Sequence, residues 1–148
     1  MRVMVLIKAN ADSEKNIMPD EQYLGEMTKY NEMLVNKGIM LAGEGLRPSA
    51  KGKRVRFEVG KKPVVIDGPF AETKELLAGF WIWKVKDLDE AVALVKQIPI
   101  PDTTKYPGSR ESEIELREVG EIEDFGAEAT PALREKEAEM RQKLEARK

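Results

Sequence analysis

The chain has 148 residues, which suits one domain with a sizeable hydrophobic core. Hydrophobic residues make up 41% and charged residues 35%, so we expect a globular rather than a disordered chain. A net charge of −2 gives no electrostatic footprint for nucleic acid. No apolar stretch reaches the length of a transmembrane helix and no signal peptide is recognised, so we expect no membrane partner and a cytoplasmic location.

Cysteine and histidine are both absent. Without cysteine there is no disulfide, no thiolate nucleophile and no zinc–thiolate site. Without histidine, the commonest general base and the commonest metal ligand are missing. Any chemistry must therefore use carboxylates, lysine, arginine, tyrosine or backbone groups, and we predict neither a metal nor a cofactor.

An apolar strand and an amphipathic helix open the chain. Residues 3–7 are wholly apolar, which is typical of a strand buried on both faces. After a polar loop over residues 10–16, a helix is predicted from its N-cap at Asp20 to its stop at Gly38. One apolar stripe of this helix is formed by Tyr23, Met27, Tyr30 and Leu34.

A second strand is predicted over residues 39–46, and a basic loop and a hairpin follow it. Glu44 stands between two glycines, where it is either a solvated carboxylate at a bulge or a ligand-binding carboxylate beside bare backbone. Arg47 begins the basic loop, which is either solvated or attracts an anion. The alternating residues 55–59 and the apolar residues 63–66, joined by a glycine-containing turn, predict the hairpin.

The turn Asp67-Gly68-Pro69-Phe70 leads from the hairpin into a charged loop. Its glycine and proline are turn formers, and its aspartate carboxylate can accept hydrogen bonds from turn amides. Its phenylalanine can pin the loop to the core. Three charges follow within four positions, at Glu72, Lys74 and Glu75. The stretch is either a structural loop with solvated charges or the rim of a pocket that carries an acid and a base.

The second half of the chain repeats the strand–helix–strand order. Residues 80–85 are nearly continuous aromatic and branched residues, the strongest strand signal in the chain. Asp87 caps a helix that Pro99 ends. The predicted apolar stripe of that helix is Leu88, Val92, Val95 and Ile98.

A final strand is predicted over residues 114–119, and the composition changes beyond it. Residues 120–148 are first an acidic linker and then a helical tail rich in Ala, Glu, Lys and Arg, with only a thin apolar stripe. We therefore assign residues 1–119 to one domain and residues 120–148 to a linker and C-terminal tail.

This order of elements is an α+β, ferredoxin-like βαββαβ arrangement with a hairpin insertion. Residues 3–7 and 80–85 then occupy the middle of the sheet, which agrees with their apolar character on both faces. Two helices can cover only one face of the sheet. Because the other face needs a second layer, we predict a homodimer.

The stretch 67–75 resembles the DGPF signature of the YCII-related family of small bacterial proteins. The resemblance extends by pattern over about residues 1–119, including the opening strand, the segment 43–48 and the closing strand over residues 114–117. It implies a dimeric α+β barrel with a cavity between sheet and loops. Relatives often carry a histidine in the loop before the final strand or near the first helix. Residues 100–103 of that loop contain none, so a histidine-dependent activity is not expected here.

The preferred functional prediction is a small-molecule-binding protein of unassigned activity. Its ligand would lie in a cavity bordered by residues 67–75, and the predicted ligand-binding residues are Glu44, Arg47 and Phe70. Because fold alone does not fix function, alternatives stay open.

One alternative is an acid–base enzyme of lyase or isomerase type. Asp67 would be the base, Glu72 a second carboxylate and Lys74 the electrophilic cation, since carboxylates near an ammonium can differ in pKa. Another alternative is a non-catalytic regulatory or structural dimer. A regulatory role is implied only by the resemblance, because family members are often encoded near alternative sigma factors.

Overall fold

A computed structural model describes residues 1–148 with the exception of the side chain of Thr73. The chain divides into two compact units, Met1–Glu118 and Val119–Lys148. Within the part of the chain that the structure describes, no helix combines the length and the apolar character that a membrane crossing requires.

The first unit carries the sheet and its helices. In chain order its elements are β1 (Arg2–Lys8), α1 (Ala11–Glu14), α2 (Glu21–Asn36), β2 (Met40–Gly45), β3 (Lys53–Arg56), β4 (Val64–Asp67), β5 (Leu77–Lys84), α3 (Leu88–Val95) and β6 (Ile114–Glu118). The second unit contains α4 (Pro131–Glu145), which begins after the N-cap Thr130. Thr130 accepts a hydrogen bond from the Leu133 N–H, as expected for such a cap.

The main sheet has the strand order β2-β5-β1-β6, with all neighbouring strands antiparallel. This order confirms the ferredoxin-like prediction, including the central positions of β1 and β5. Strands β3 and β4 pair with each other in a separate two-stranded sheet, so the predicted hairpin insertion is also confirmed.

The core lies on one face of this sheet. Alternate residues of β1 and β5 point into it, with Val5 of β1 opposite Trp81 of β5. The helices α2 and α3 supply most of the remaining core side chains, namely Tyr30, Leu34, Ala91 and Leu94. The Tyr30 hydroxyl donates a 2.7 Å hydrogen bond to the Leu94 carbonyl, and burial raises the pKa of Tyr30 to about 12. The two helices are thereby joined above the sheet.

The apolar stripe that the sequence predicted for the buried face of α3 is wrong in part. Leu88 and Val92 are 36% and 40% exposed, whereas Ala91 and Leu94 are buried. Both pairs satisfy helical spacing, and the helix packs with Ala91 and Leu94 in the core, which leaves Leu88 and Val92 partly exposed. The helix also ends at Val95, and only a turn continues towards Pro99.

The opposite face of the sheet carries a second apolar set. Met4 and Leu6 of β1 alternate with the core residues, and they pair across the ladder with Ile82 and Phe80 of β5. All four side chains are half-buried, and none belongs to the described core cluster. The central strands therefore have two apolar faces, as the sequence predicted.

Candidate functional site

A groove of 1310 Å³ lies within the first unit, along the ends of β1 and β2. Its lining is completed by the polar segment that follows β1, the start of α2, the loop after β2 and parts of the segment 95–114. Its apolar lining includes Ile7, Met27, Trp81, Ile98 and Ile114. A largely apolar concave surface with convergent polar groups is typical of a small-molecule site, and this groove is larger than the usual volume of about 300 to 1,000 Å³.

The polar segment after β1 folds as a short helix rather than the predicted loop. The Asn10 side chain accepts a 2.9 Å hydrogen bond from the Ser13 N–H, and the Ser13 hydroxyl accepts one from the Asn10 N–H. This capping box starts α1, because it satisfies two amide donors that lack helical partners. It also fixes the direction of Asp12 inside the first turn.

Asp12 is the buried charged residue of the groove. Its side chain is only 6% exposed, and its Oδ2 accepts a 3.0 Å hydrogen bond from the Ser109 hydroxyl. The Asn10 amide in turn donates to the Ser109 oxygen at 3.2 Å. Gly108 leaves room for the carboxylate, since a Cβ there would lie 2.5 Å from Asp12 Oδ1. Two segments almost a hundred residues apart thus build one polar cluster in the groove wall.

Asp12, Ser109 and Asn10 were not among the site residues predicted from the sequence. The capping pattern of Asn10 and Ser13 could have signalled a helix start over residues 10–13. Nothing local signals the burial of Asp12, because that burial depends on Gly108 and Ser109 in a distant loop.

Tyrosines flank the groove near the start of α2. Both Tyr23 and Tyr106 line it, with ring centroids 6.5 Å apart. The Tyr106 hydroxyl accepts a 2.6 Å hydrogen bond from the Asp20 N–H, and Lys105 Nζ lies 3.0 Å from Asp20 Oδ2. Burial, and secondarily Glu26, raise the pKa of Tyr23. The Tyr23 N–H bond and then Lys105 hold the pKa of Asp20 below its usual range.

The turn Asp67-Gly68-Pro69-Phe70 lies behind one wall of the groove. The Gly68 N–H donates to the Gly52 carbonyl at 3.0 Å, and the Phe70 N–H donates to the Ser49 hydroxyl at 3.1 Å. A Cβ on Gly68 would collide with the Ser49 carbonyl oxygen. Because the groove is lined by residues on both sides of Ser49, the motif supports that wall from outside.

The prediction that Asp67 satisfies turn amides is wrong. The described turn N–H groups are bound by the neighbouring residues 49–52, and the Asp67 carboxylate forms an ion pair with Lys53 instead. Both side chains of that pair are largely exposed. The antiparallel register explains the pairing, since Asp67 stands opposite Lys53 in the hairpin.

The other predicted catalytic residues also lie on the outer surface of this region. Glu72 is 3.2 Å from Arg54, and its own backbone N–H, followed by Arg54, lowers its pKa. Lys74 is exposed in a short turn of 3₁₀ helix. Neither residue, nor Asp67, lines the groove as far as the structure describes the chain.

The predicted ligand-binding residues fall in three places. Arg47 lines the groove. Glu44 is exposed on β2, opposite Phe80 of β5. Phe70 is half-buried beneath Arg54, whose guanidinium carbon lies 4.0 Å from the ring centroid. The structure therefore brings Arg47 together with Asp12 in the groove lining, while Glu44 and Phe70 lie outside it.

Among the residues that the structure describes, no group of three or more acidic side chains could hold a metal ion. The polar cluster around Asp12 consists of one carboxylate, one hydroxyl and one amide. The Asp12 carboxylate in this cluster can accept a hydrogen bond from a ligand that packs on the neighbouring apolar surface.

Comparisons with known proteins identify the family. A YCII-related domain is matched over residues 1–111. An uncharacterized protein of Rhizobium meliloti (strain 1021) is 32% identical over 89 residues, which span 59% of this chain and 71% of that protein.

One solved structure adds a weak likeness. It is 5-chloro-2-hydroxyhydroquinone dehydrochlorinase from Burkholderia phenoliruptrix AC1100, in complex with 2,5-dihydroxybenzoquinone. The similarity covers 81% of this chain and 96% of that one, at 18% identity and a TM-score of 0.39, which is too low to support an argument about activity. The domain match covers most of the chain, and this protein therefore belongs to the YCII-related family.

Proposed function

We propose that this protein binds a small molecule in the groove, with the Asp12 carboxylate as its central polar contact. The observation that supports the proposal is a buried carboxylate in the wall of a 1310 Å³ groove with apolar lining. Buried charges are costly, and they are usually retained where they are hydrogen-bonded or used. The sequence predicted a ligand cavity bordered by residues 67–75. In this proposal the ligand lies in the groove instead, and residues 67–75 support the groove wall.

Asp12 has unused capacity as an acceptor. An ionised carboxylate offers about four lone-pair directions. Its side chain receives one described hydrogen bond, from Ser109. A ligand hydroxyl or amine could therefore bind to Asp12 without displacing Ser109. The Ser109 hydroxyl and the cap at Asn10 would hold the carboxylate in place for that contact.

An acid–base enzyme is the second candidate. Asp12 favours it, because a carboxylate among apolar side chains is a suitable base once a ligand excludes water. Asp67, Glu72 and Lys74 remain predicted catalytic residues of this version. Their ion-paired or exposed positions would require the 67–75 loop to rearrange around a ligand.

The test is a thermal-shift screen of small organic molecules against four forms of the full chain. These are the wild type, Asp12→Asn, Asp67→Asn and the control Asp89→Asn, which changes an exposed carboxylate of α3 outside the groove. Ligands should raise the unfolding midpoint of the wild type and the control, and much less that of Asp12→Asn. Equal shifts in Asp12→Asn would contradict the proposal. Turnover assays on the molecules that bind then show whether the protein is an enzyme or only a binding protein. Loss of turnover in Asp67→Asn alone would assign the chemistry to the 67–75 loop.

We propose in addition that two copies pair through the second apolar face of the sheet. The support is the half-buried set Met4, Leu6, Phe80 and Ile82, which lies outside the core cluster. A contiguous apolar patch at the centre of a sheet commonly marks an interface. The groove-lining residues Ile7 and Trp81 belong to the other face.

A further inference from the structure

We infer that the ligand of the groove is an organic anion with an apolar ring and a hydroxyl donor, of the hydroxylated aromatic carboxylate class. The inference rests on the proposed function and specifies its ligand. Three observations carry it: the charge of the groove lining, the absence of ion pairs at most of its cations, and the acceptor at Asp12.

Cations outnumber carboxylates in the groove lining. Three carboxylates line it, at Asp12, Glu14 and Glu113. Six cationic side chains line it as well, at Lys8, Lys15, Arg47, Lys51, Lys96 and Arg110. The chain as a whole carries a net charge of −2, so this excess is local and opposite in sign to the average. A groove lined with one sign of charge attracts ligands of the other sign.

Most of these cations are not paired with a carboxylate in the described chain. Lys8 is the exception, with Nζ 3.8 Å from Glu115. The other five are exposed, and in the described chain none of them forms an ion pair. The neighbouring hairpin differs, because its Lys53 and Arg54 pair with Asp67 and Glu72.

The groove carboxylates keep their charge, but in the described chain none of them forms an ion pair with a groove cation, and three carboxylates stand against six cations. Glu14 accepts hydrogen bonds from the backbone and the hydroxyl of Ser49, at 3.0 and 2.5 Å. Asp12 is buried and bonded to Ser109. The ionic charges of Arg47, Lys51 and Arg110 therefore remain available to a ligand.

Asp12 indicates which chemical group the ligand carries in addition to its anionic group. A carboxylate repels an anion that approaches closely, so the anionic group must lie towards the exposed cations and away from Asp12. The end of the ligand at Asp12 must instead donate a hydrogen bond, as a hydroxyl does. Apolar side chains such as Met27, Trp81 and Ile114 line the same groove and suit a ring between the two ends.

The experiment uses three probes that share a naphthalene ring, with calorimetric titration of the full-length chain. Hydroxynaphthoate has both groups, hydroxynaphthamide lacks the charge, and naphthoate lacks the hydroxyl. We expect hydroxynaphthoate to bind at least about tenfold more tightly than hydroxynaphthamide, since several unpaired cations act together. Raising the salt from about 0.02 M to about 0.2 M should reduce that ratio.

Substitutions test which residues cause the preference for a charged ligand and which residue causes the preference for a hydroxyl group. Arg47→Gln and Arg110→Gln should each weaken hydroxynaphthoate binding about two- to fivefold and leave hydroxynaphthamide unchanged, the range measured for exposed charge pairs. Arg56→Gln is the matched control, because it removes the same charge from an exposed site outside the groove. Asp12→Asn should reduce the advantage of hydroxynaphthoate over naphthoate.

The possible results separate this inference from the proposed function. Equal affinity for the charged and neutral probes, or equal effects of Arg47→Gln and Arg56→Gln, would overturn the anion inference and leave the binding groove standing. Equal affinity for hydroxynaphthoate and naphthoate would overturn the hydroxyl assignment. If none of the three probes binds, the groove is not a site for this ligand class and the inference is overturned, whereas the proposed small-molecule groove is decided separately by the thermal-shift screen.

Discussion

The Glu14 carboxylate accepts two hydrogen bonds from a single residue, Ser49. The Ser49 N–H lies 3.0 Å from Glu14 Oε1, and the Ser49 hydroxyl lies 2.5 Å from Glu14 Oε2. The same Ser49 oxygen accepts the Phe70 N–H at 3.1 Å. Ser49 therefore joins α1, the turn after β2 and the 67–70 turn, and all three support one side of the groove.

The first prediction concerns this junction. Ser49→Ala removes the hydroxyl donor to Glu14 and the acceptor of the Phe70 N–H, both partly buried. We expect the free energy of unfolding to fall by about 1 to 3 kcal/mol, because partners are left unsatisfied. Urea denaturation measures it. Ser112→Ala is the control, since the exposed Ser112 hydroxyl makes one long hydrogen bond, and an equal effect in both variants would contradict the junction.

The second prediction compares two glycines. Gly68→Ala should destabilise the chain by about 1 to 3 kcal/mol or more, because the new Cβ collides with backbone of Ser49 that other contacts hold. Gly25→Ala should stabilise it by about 0.5 to 1 kcal/mol, since Gly25 lies inside α2 with nothing within 4 Å of its Cβ position. Thermal unfolding of both variants checks the opposite signs, and a neutral Gly68→Ala would show that the turn is not tightly packed.

The third prediction concerns acid stability. The pKa of Asp20 is lowered in the folded chain by the Tyr23 N–H and then by Lys105. Its ionised form therefore stabilises the fold above its ordinary pKa of about 4, and this contribution is lost as the pH falls through the lowered pKa. Asp20→Asn keeps an acceptor for the helix cap but removes the charge. Its urea midpoint should lie below that of the wild type at about pH 7, and the two midpoints should converge as the pH falls through the lowered pKa of Asp20. A difference that does not change with pH would contradict the ionic contribution.

The fourth prediction concerns assembly. Sedimentation equilibrium of the wild type at micromolar concentration should give the mass of a dimer. Ile82→Lys places a charge on the second apolar face and should shift the equilibrium to monomer. Val59→Lys, at a fully exposed position of the β3–β4 connection, should leave it unchanged. A wild-type monomer would exclude pairing through this face, and a dimeric Ile82→Lys variant would place the interface elsewhere.

Sequence patterns predicted the elements whose signal is local and periodic. The apolar runs in β1 and β5 specified the centre of the sheet, and the caps Asp20 and Asp87 marked the starts of α2 and α3. The face of α3 was harder, because Leu88 with Val92 and Ala91 with Leu94 mark two adjacent apolar stripes, and only the packing against the sheet decides between them.

The candidate site depended on contacts that no local pattern contains. Asp12 and Ser109 are separated by 97 residues, and Glu14 and Ser49 by 35 residues. The conspicuous charges of the 67–75 stretch attracted the sequence-based prediction, yet Asp67 and Glu72 pair with cations of the adjacent hairpin. Arg47 was identified because its basic loop is visible in the sequence, and the fold happens to turn that loop towards the groove.

The most direct measurement is amide chemical-shift mapping of the isotope-labelled chain during titration with hydroxynaphthoate. If the groove binds the ligand as proposed, the largest changes should cluster at Asp12, Ser13, Arg47 and Ser109, with small changes on the second apolar face. Asp12→Asn should reduce the changes at Asp12, Ser13 and Ser109 more than the change at Arg47, at equal ligand concentration. Changes concentrated at Met4 and Phe80, or along the β3–β4 hairpin, would contradict the account, because the ligand would then bind outside the groove.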